Sequence, residues 1–185
     1  MGRRNSSMVL RLSLVVLGMA FLGSRAAGAQ QITKPTIPGA INVAQLETTV
    51  ACGGATKPEA VPEIKKLGFA SIINLRQPTE NGADVEGEAA AAKTAGIRFF
   101  NIPFNGQAPD PAVADRFVET ITTPGNEPAY IHCAAGNRAA AMWMIKRLVV
   151  DHWEADKAAQ EAQALGMTSA TLKQFAVEYA KSHIR

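Results

Sequence analysis

Apolar positions along the chain alternate between short unbroken runs and longer stretches of helical period. Thr49-Val50-Ala51-Cys52 is a short run ended by Gly53-Gly54. Ala70 to Leu75 is a near-continuous run, of the kind a strand buried on both faces of a parallel sheet needs, and Ile97 to Phe104 and Ala129 to His132 read as further strands. Between them lie periodic segments. Lys57 to Leu67 carries Ala60, Ile64 and Leu67 on one stripe, with Thr56 ahead of it, Pro58 in its first turn and Gly68 as its stop. Asp84 caps a helix over Val85 to Ala95, and Gly96 ends it. Asp110-Pro111 opens a helix over Ala112 to Thr122 in the N-cap, Pro-N1 order. Pro124-Gly125-Asn126 then turns the chain into the last strand.

After that strand only helices follow: Arg138 to Val150, Trp153 to Leu165 and Thr171 to Ser182. The alternation predicts an α/β fold: a mainly parallel central sheet of four to five strands flanked by helices, with a C-terminal helical cluster. In such sheets ligands sit at the carboxyl ends of the strands. That edge gathers Arg76, the loop Asn105 to Asp110, and Cys133. Lys146 with Arg147 reads as a solvated face, and Met142, Trp143 and Met144 as core.

The N-terminus has a different pattern. Arg3, Arg4 and Arg11 precede and flank the apolar run Leu12 to Leu22, and Ala27-Gly28-Ala29 is a small-x-small sequence. This is the layout of a secretory signal peptide cleaved after Ala29. The run falls short of the ~20 residues of a membrane span. Residues 1–29 are therefore read as a signal peptide and the protein as periplasmic or secreted, with no stable membrane association after cleavage. Residues 30–48, with Pro35, Pro38 and Gly39, read as an extended, loosely held leader, and 49–185 as the folded domain.

Cleavage changes the charge picture. The chain has 19 Lys and Arg against 16 Asp and Glu. Removing Arg3, Arg4, Arg11 and Arg25 leaves 15 against 16. The basic excess belongs to targeting, and neither nucleic acid nor an anionic membrane surface is expected as a partner.

The chemistry is concentrated in Ala129-Tyr130-Ile131-His132-Cys133-Ala134-Ala135-Gly136-Asn137-Arg138. A strand, a tight loop and a helix start stand in sequence, with a thiol first and a guanidinium last. Backbone N–H groups of such a loop converge on negative charge, and the same field favours a thiolate at Cys133. Arg138 can fork onto two oxygens of a tetrahedral anion. No metal ligand cluster has the right spacing, and no cofactor is expected.

The stretch resembles the His-Cys-x-x-Gly-x-x-Arg-Ser/Thr loop of Cys-dependent protein tyrosine and dual-specificity phosphatases. It is one residue shorter, and Ala139 stands where those enzymes have a hydroxyl. Ile72-Ile73-Asn74-Leu75-Arg76, the helix before Gly96, Ile102-Pro103 and the His-Cys loop repeat the running order of compact dual-specificity phosphatases. The nearest resemblance is to the phosphatase-like domain of bacterial beta-lactamase-hydrolase-like proteins, whose loop is also Cys-x-x-Gly-x-Arg. The resemblance implies hydrolysis of a phosphomonoester, on a small molecule or a protein. Cys133 would be nucleophile, and Arg138 with the amides of Ala134, Ala135, Gly136 and Asn137 would hold the oxygens. Arg76 would add positive potential at the mouth or simply pair with an acid, and His132 would orient the loop by bonding to backbone.

The general acid is the weak match. Its place holds Asn105, Gly106 and Gln107, so Asp110 is the nearest carboxylate and is also a helix cap, with Glu80 and Asp84 behind it. Two rivals remain: a rhodanese-type sulfurtransferase carrying a persulfide on Cys133, which needs no such acid, and a non-catalytic phosphate-binding module. Cys52 is open to three readings: inert, in a structural bridge to Cys133, or in a reversible redox bridge that protects Cys133 from over-oxidation.

Overall fold

A computed structural model of the chain describes residues 1–2 and 31–183. All but the first two residues of the signal-peptide reading lie outside the described residues, so the cleavage site has no structural counterpart. In chain order the elements are β1 (Ile32–Thr33), β2 (Ala44–Leu46), β3 (Val50–Gly53), α1 (Val61–Lys66), β4 (Ser71–Asn74) and α2 (Val85–Ala95), then β5 (Arg98–Asn101), α3 (Pro111–Thr122), β6 (Ala129–His132), α4 (Asn137–Val149), α5 (Ala155–Ala164) and α6 (Ala170–His183). A single turn of 3-10 helix, Pro58–Ala60, leads into α1.

The six strands form one sheet in the order β1-β2-β3-β6-β4-β5. The inner pairings β3–β6, β6–β4 and β4–β5 are parallel, while β1–β2 and β2–β3 are antiparallel. The expectation of four to five strands is thus corrected to a mixed sheet of six. The extra two come from residues 30–48. That segment is extended, but it is docked: Ile37, Val43 and Leu46 are buried. Its strands are two and three residues long among Pro and Gly, too short to show a period.

Side chains alternate across the sheet as a strand requires. Val50, Cys52, Ile73, Leu75, Ala129, Ile131 and Cys133 enter a core shared with α3, α4, α5 and α6. Ala51, Ile72 and Tyr130 enter a second core with α1 and α2. The parity places the two critical neighbours on opposite faces: Cys133 looks toward α4, His132 toward α2. β6 lies between two parallel neighbours, and its carboxyl end delivers the chain into the Cys133 loop.

The strand expected over Ile97 to Phe104 pairs only to Asn101. Beyond it, Ile102 N and Phe104 N still donate to Asn74 O and Leu75 O at 2.9 and 3.1 Å, while Pro103 has no N–H to give. The solvated-face reading of Lys146 and Arg147 is also corrected: they are 7% and 6% exposed. Lys146 pairs with Asp151 and Glu127, and Arg147 with Asp151 and Glu161. The Arg147 guanidinium lies over the rings of Trp143 and Trp153, at 4.6 and 4.1 Å.

Candidate active site

The loop after β6 is held from outside by its carbonyls. Ala134 O accepts from Ala55 N at 2.9 Å, and Ala135 O from Asn42 Nδ2 at 3.3 Å. Gly136 O accepts from Ala140 N at 3.0 Å, the first bond of α4. With these carbonyls engaged elsewhere, the loop is free to turn N–H groups inward, and Gly136 N donates to Cys133 Sγ at 3.1 Å. Gly136 supports this with φ +102°, a value L side chains rarely adopt. The thiol is 1% exposed.

Arg138 follows in the first turn of α4. Nη1 donates to Glu80 Oε1 at 2.6 Å, to Phe104 O at 2.8 Å and to Leu75 O at 3.2 Å, and Nη2 donates to Glu80 Oε2 at 2.7 Å. Glu80 therefore grips the end of the guanidinium. Nε–H and the second Nη2 hydrogen, the fork on the other edge, are left for an anion. Burial lowers the Arg138 pKa. Its hydrogen bonds with Glu80 and the negative charge available at Cys133 outweigh this and raise it.

Burial pushes the Glu80 carboxyl up. Hydrogen bonds from Arg138 and Gln77 N, the charge of Arg138 and a bond from Arg76 hold it down at about 2. A carboxylate so held stays ionised at any working pH, which removes Glu80 from the candidate acids.

Arg76 does not reach the mouth. It is 3% exposed, with Nε on Glu80 Oε2 at 3.3 Å, Nη1 on Gly82 O at 2.8 Å and Nη2 on Asn81 O at 2.6 Å. Its geometry builds the loop that presents Glu80.

Asp110 is exposed and caps α3 by accepting from Ala112 N at 2.9 Å. Asp84 caps α2 in the same manner, accepting from Gly87 N at 2.9 Å. His132 does not bond to backbone: its Nε2 meets Glu88 Oε2 at 2.9 Å.

A cavity of about 430 Å³ opens beside Arg138, lined by Gln77, Glu80, Asn105, Gly106, Gln107, Asn137, Arg138, Ser169 and Leu172. Its walls are mostly carboxamide and hydroxyl, and Glu80 is its only carboxylate among the described residues. A Cβ added to Gly106 would stand 3.3 Å from Arg138 Cγ, so this loop lies directly over the arginine stem. Asn137 anchors the far wall by accepting from Thr168 N and Ser169 N at 2.6 and 2.9 Å.

The two cysteines are free thiols. Cys52 pairs across from Ile131, two residues before Cys133. Strand spacing and rise put their Cα atoms about 8 Å apart, beyond the reach of a disulfide without backbone movement. Burial, then the charges at Cys133 and Glu161, push the Cys52 thiol up. The resting geometry fits neither the structural bridge nor a ready redox bridge.

Sequence reading found the thiol and guanidinium because they share one stretch. It missed Glu80 as the partner of Arg138 and Asn42 as a support of the loop, since only tertiary structure brings them there.

Comparisons with known proteins come to the same place. The family model described as "DSP-PTPase phosphatase fused to NAD+ Kinase" matches residues 28–180. Among solved structures, a protein described as a DUF442 phosphatase from Shewanella putrefaciens CN-32 is 18% identical. The match covers 80% of this chain and 97% of that one, with a TM-score of 0.68. TpbA of P. aeruginosa is 19% identical over 84% and 91% of the two chains, with a TM-score of 0.62, and a second TpbA structure is in complex with pTyr. The catalytic core of the PP-IP phosphatase Siw14 of S. cerevisiae is 18% identical over 78% and 88%, with a TM-score of 0.62. No curated protein matches.

Proposed function

Because the chain belongs to the family of DSP-PTPase phosphatases fused to NAD+ kinase, and so to the protein tyrosine and dual-specificity phosphatase superfamily of enzymes, we propose that it hydrolyses phosphoesters through a cysteinyl-phosphate. The observation that carries this is the pairing of a thiol that accepts the Gly136 N–H with an Arg138 whose Nη1/Nη2 end is held by Glu80, leaving the Nε/Nη2 edge to face an anion. The Cys133 thiolate attacks phosphorus. The S–P bond forms as the bond to the leaving oxygen breaks, and that oxygen keeps the electron pair. Arg138 and the loop amides hold the equatorial oxygens, where transition-state charge spreads. Water then attacks phosphorus, the S–P bond breaks, and phosphate and thiolate are released.

Among the described residues no carboxylic acid stands ready at the departing oxygen: Glu80 is ionised and Asp110 caps α3. The favoured substrates therefore have weakly basic leaving groups, the chemistry of aryl esters and phosphoanhydrides. This supports the pTyr and PP-IP named for TpbA and Siw14 as starting points for the search. An aryl phosphate with a nitrophenolate leaving group should turn over at least ~100-fold faster than a simple alkyl phosphate, because general acid catalysis supplies roughly 10²–10⁴ where it operates. Equal rates would show that an acid enters from elsewhere. Cys133→Ser should abolish both.

The same missing acid favours persulfide transfer as the second reading. In that reaction thiosulfate would give its sulfane sulfur to the Cys133 thiolate, releasing sulfite, and cyanide would take it as thiocyanate. Assaying the reduced protein with phosphoester and with thiosulfate plus cyanide separates the two. Turnover of thiosulfate alone replaces the first reading with the second. We further propose export, on the Arg-flanked apolar run Leu12 to Leu22. Fractionation of cells making the whole chain, with N-terminal sequencing for a start at Gln30, tests it.

A further inference from the structure

One buried carboxylate lies outside the reaction just described. Glu88 stands one turn into α2 and is 0% exposed, as is His132 beside it. An ionised side chain in a dry interior costs several kcal/mol unless well paired, and an apolar residue of similar size is often as stable or better. The pairing here is incomplete. Oε2 takes both donors, His132 Nε2 at 2.9 Å and Asn74 Nδ2 at 3.1 Å. Among the described residues, Glu88 Oε1 and His132 Nδ1 have no partner. Packing and hydrogen bonding alone give little reason for this arrangement.

The two bonds on Oε2 lead to the two halves of the site. One fixes the ring of His132, the last residue of β6 before Cys133. The other fixes which way the Asn74 carboxamide faces. With Nδ2 on Glu88, Oδ1 accepts from Arg76 N at 2.7 Å and sets the turn at the end of β4. That turn begins the loop in which Arg76 holds Glu80, and Glu80 holds the end of Arg138. We propose that Glu88 is a positioning residue: from the opposite face of the sheet, one carboxylate oxygen sets both the nucleophile and the clamp on the guanidinium. The inference rests on the phosphatase reading of the site but concerns its geometry, which has a measure independent of turnover.

That measure is alkylation of Cys133 by iodoacetate, followed by peptide mapping, with and without inorganic phosphate. In Glu88→Met both donors lose their acceptor. Alkylation should slow about fivefold and phosphate protection should weaken about tenfold, since misplacing a reacting group by an ångström costs up to about 10² in rate. Glu88→Gln keeps one oxygen and should return both readings to within about threefold of wild type. Asn74→Ala cuts only the second arm, so protection should weaken while the alkylation rate holds. If Glu88→Met does not fold, Asn74→Ala and Glu88→Gln still decide: protection unchanged in the first, or lost in the second, overturns the proposal. So does a folded Glu88→Met that behaves as wild type. A wild-type protein that phosphate does not protect speaks against the phosphatase reading instead, and the alkylation rates still report on Glu88.

Discussion

Glu80 stands between two guanidinium groups, and its role at the site follows from which edge of Arg138 it holds. It takes the Nη1/Nη2 end and leaves the Nε/Nη2 side open. A carboxylate there orients the arginine; it does not compete with the phosphoryl group. Glu80→Gln should therefore raise KM and lower kcat/KM by about tenfold or more, because the clamp loses its charge-assisted bonds. A fall in KM would show that Glu80 blocks the site. The same residue makes stability depend on acid. Its carboxyl is held at about 2 against an ordinary 4.5, so the stability it contributes is whole above about pH 4.5 and is lost as pH falls toward 2. Melting temperature followed through that window should drop less steeply in Glu80→Gln than in wild type. Asp110 differs from Glu80 in this respect. Its carboxylate caps α3, so Asp110→Ala should cost about 0.5–2 kcal/mol of stability and leave kcat for a nitrophenyl ester unchanged. A rate loss confined to esters with basic leaving groups would restore it as the acid.

At the scale of elements, β3 and the loop after it shape the Cys133 loop from the side. Gly53 O accepts from Cys133 N, and Ala55 N donates to Ala134 O. Gly53 is held small by its neighbour: a Cβ there would sit 2.4 Å from Tyr130 Oη, which is itself bonded to Thr56 Oγ1 at 3.0 Å. Gly53→Ala should destabilise by about 1–3 kcal/mol through overpacking. Tyr130→Phe in the same chain should recover part of that loss, as a denaturation double-mutant cycle reads directly. The helices and inner strands were legible because each has its own period or cap, and the Cys133–Arg138 loop was legible because one contiguous stretch carries it. Lys146 and Arg147 show where that legibility stops. Two adjacent cations look solvated until Asp151, Trp153 and Glu161, placed by the turn between α4 and α5, close over them. Of the two readings of Arg76, pairing with an acid is the one Glu80 fulfils; the carbonyls that take its other donors belong to a loop without periodicity.

For the molecule as a whole, the sequence reading placed the start of the folded domain at residue 49. A domain starting at residue 49 looks complete by its alternation of strands and helices, yet the sheet extends two strands further out. Without residues 31–48, β3 becomes an edge, and Val50, Ala51 and Cys52, all fully buried, lose their cover on that side. The buried side chains of Ile37, Val43 and Leu46 go with the segment. Burial of each is worth about 1.5–3 kcal/mol, together a large share of the roughly 5–15 kcal/mol that holds a domain of this size. The site loses support as well, since Asn42 holds Ala135 O and Ile41 O accepts from Gly54 N at 2.7 Å. A chain of residues 49–185 should therefore be poorly soluble or lack a cooperative melting transition, whereas residues 31–185 should melt as one unit. Asn42→Gly in the longer chain isolates the contribution to the site from that to the sheet. Asn42 has φ +52°, which glycine adopts without strain, so the change removes one bond to the loop and the melting temperature should move little while kcat/KM falls about tenfold. A shortened chain that melts cooperatively and hydrolyses a nitrophenyl ester at the full rate would return the boundary to residue 49.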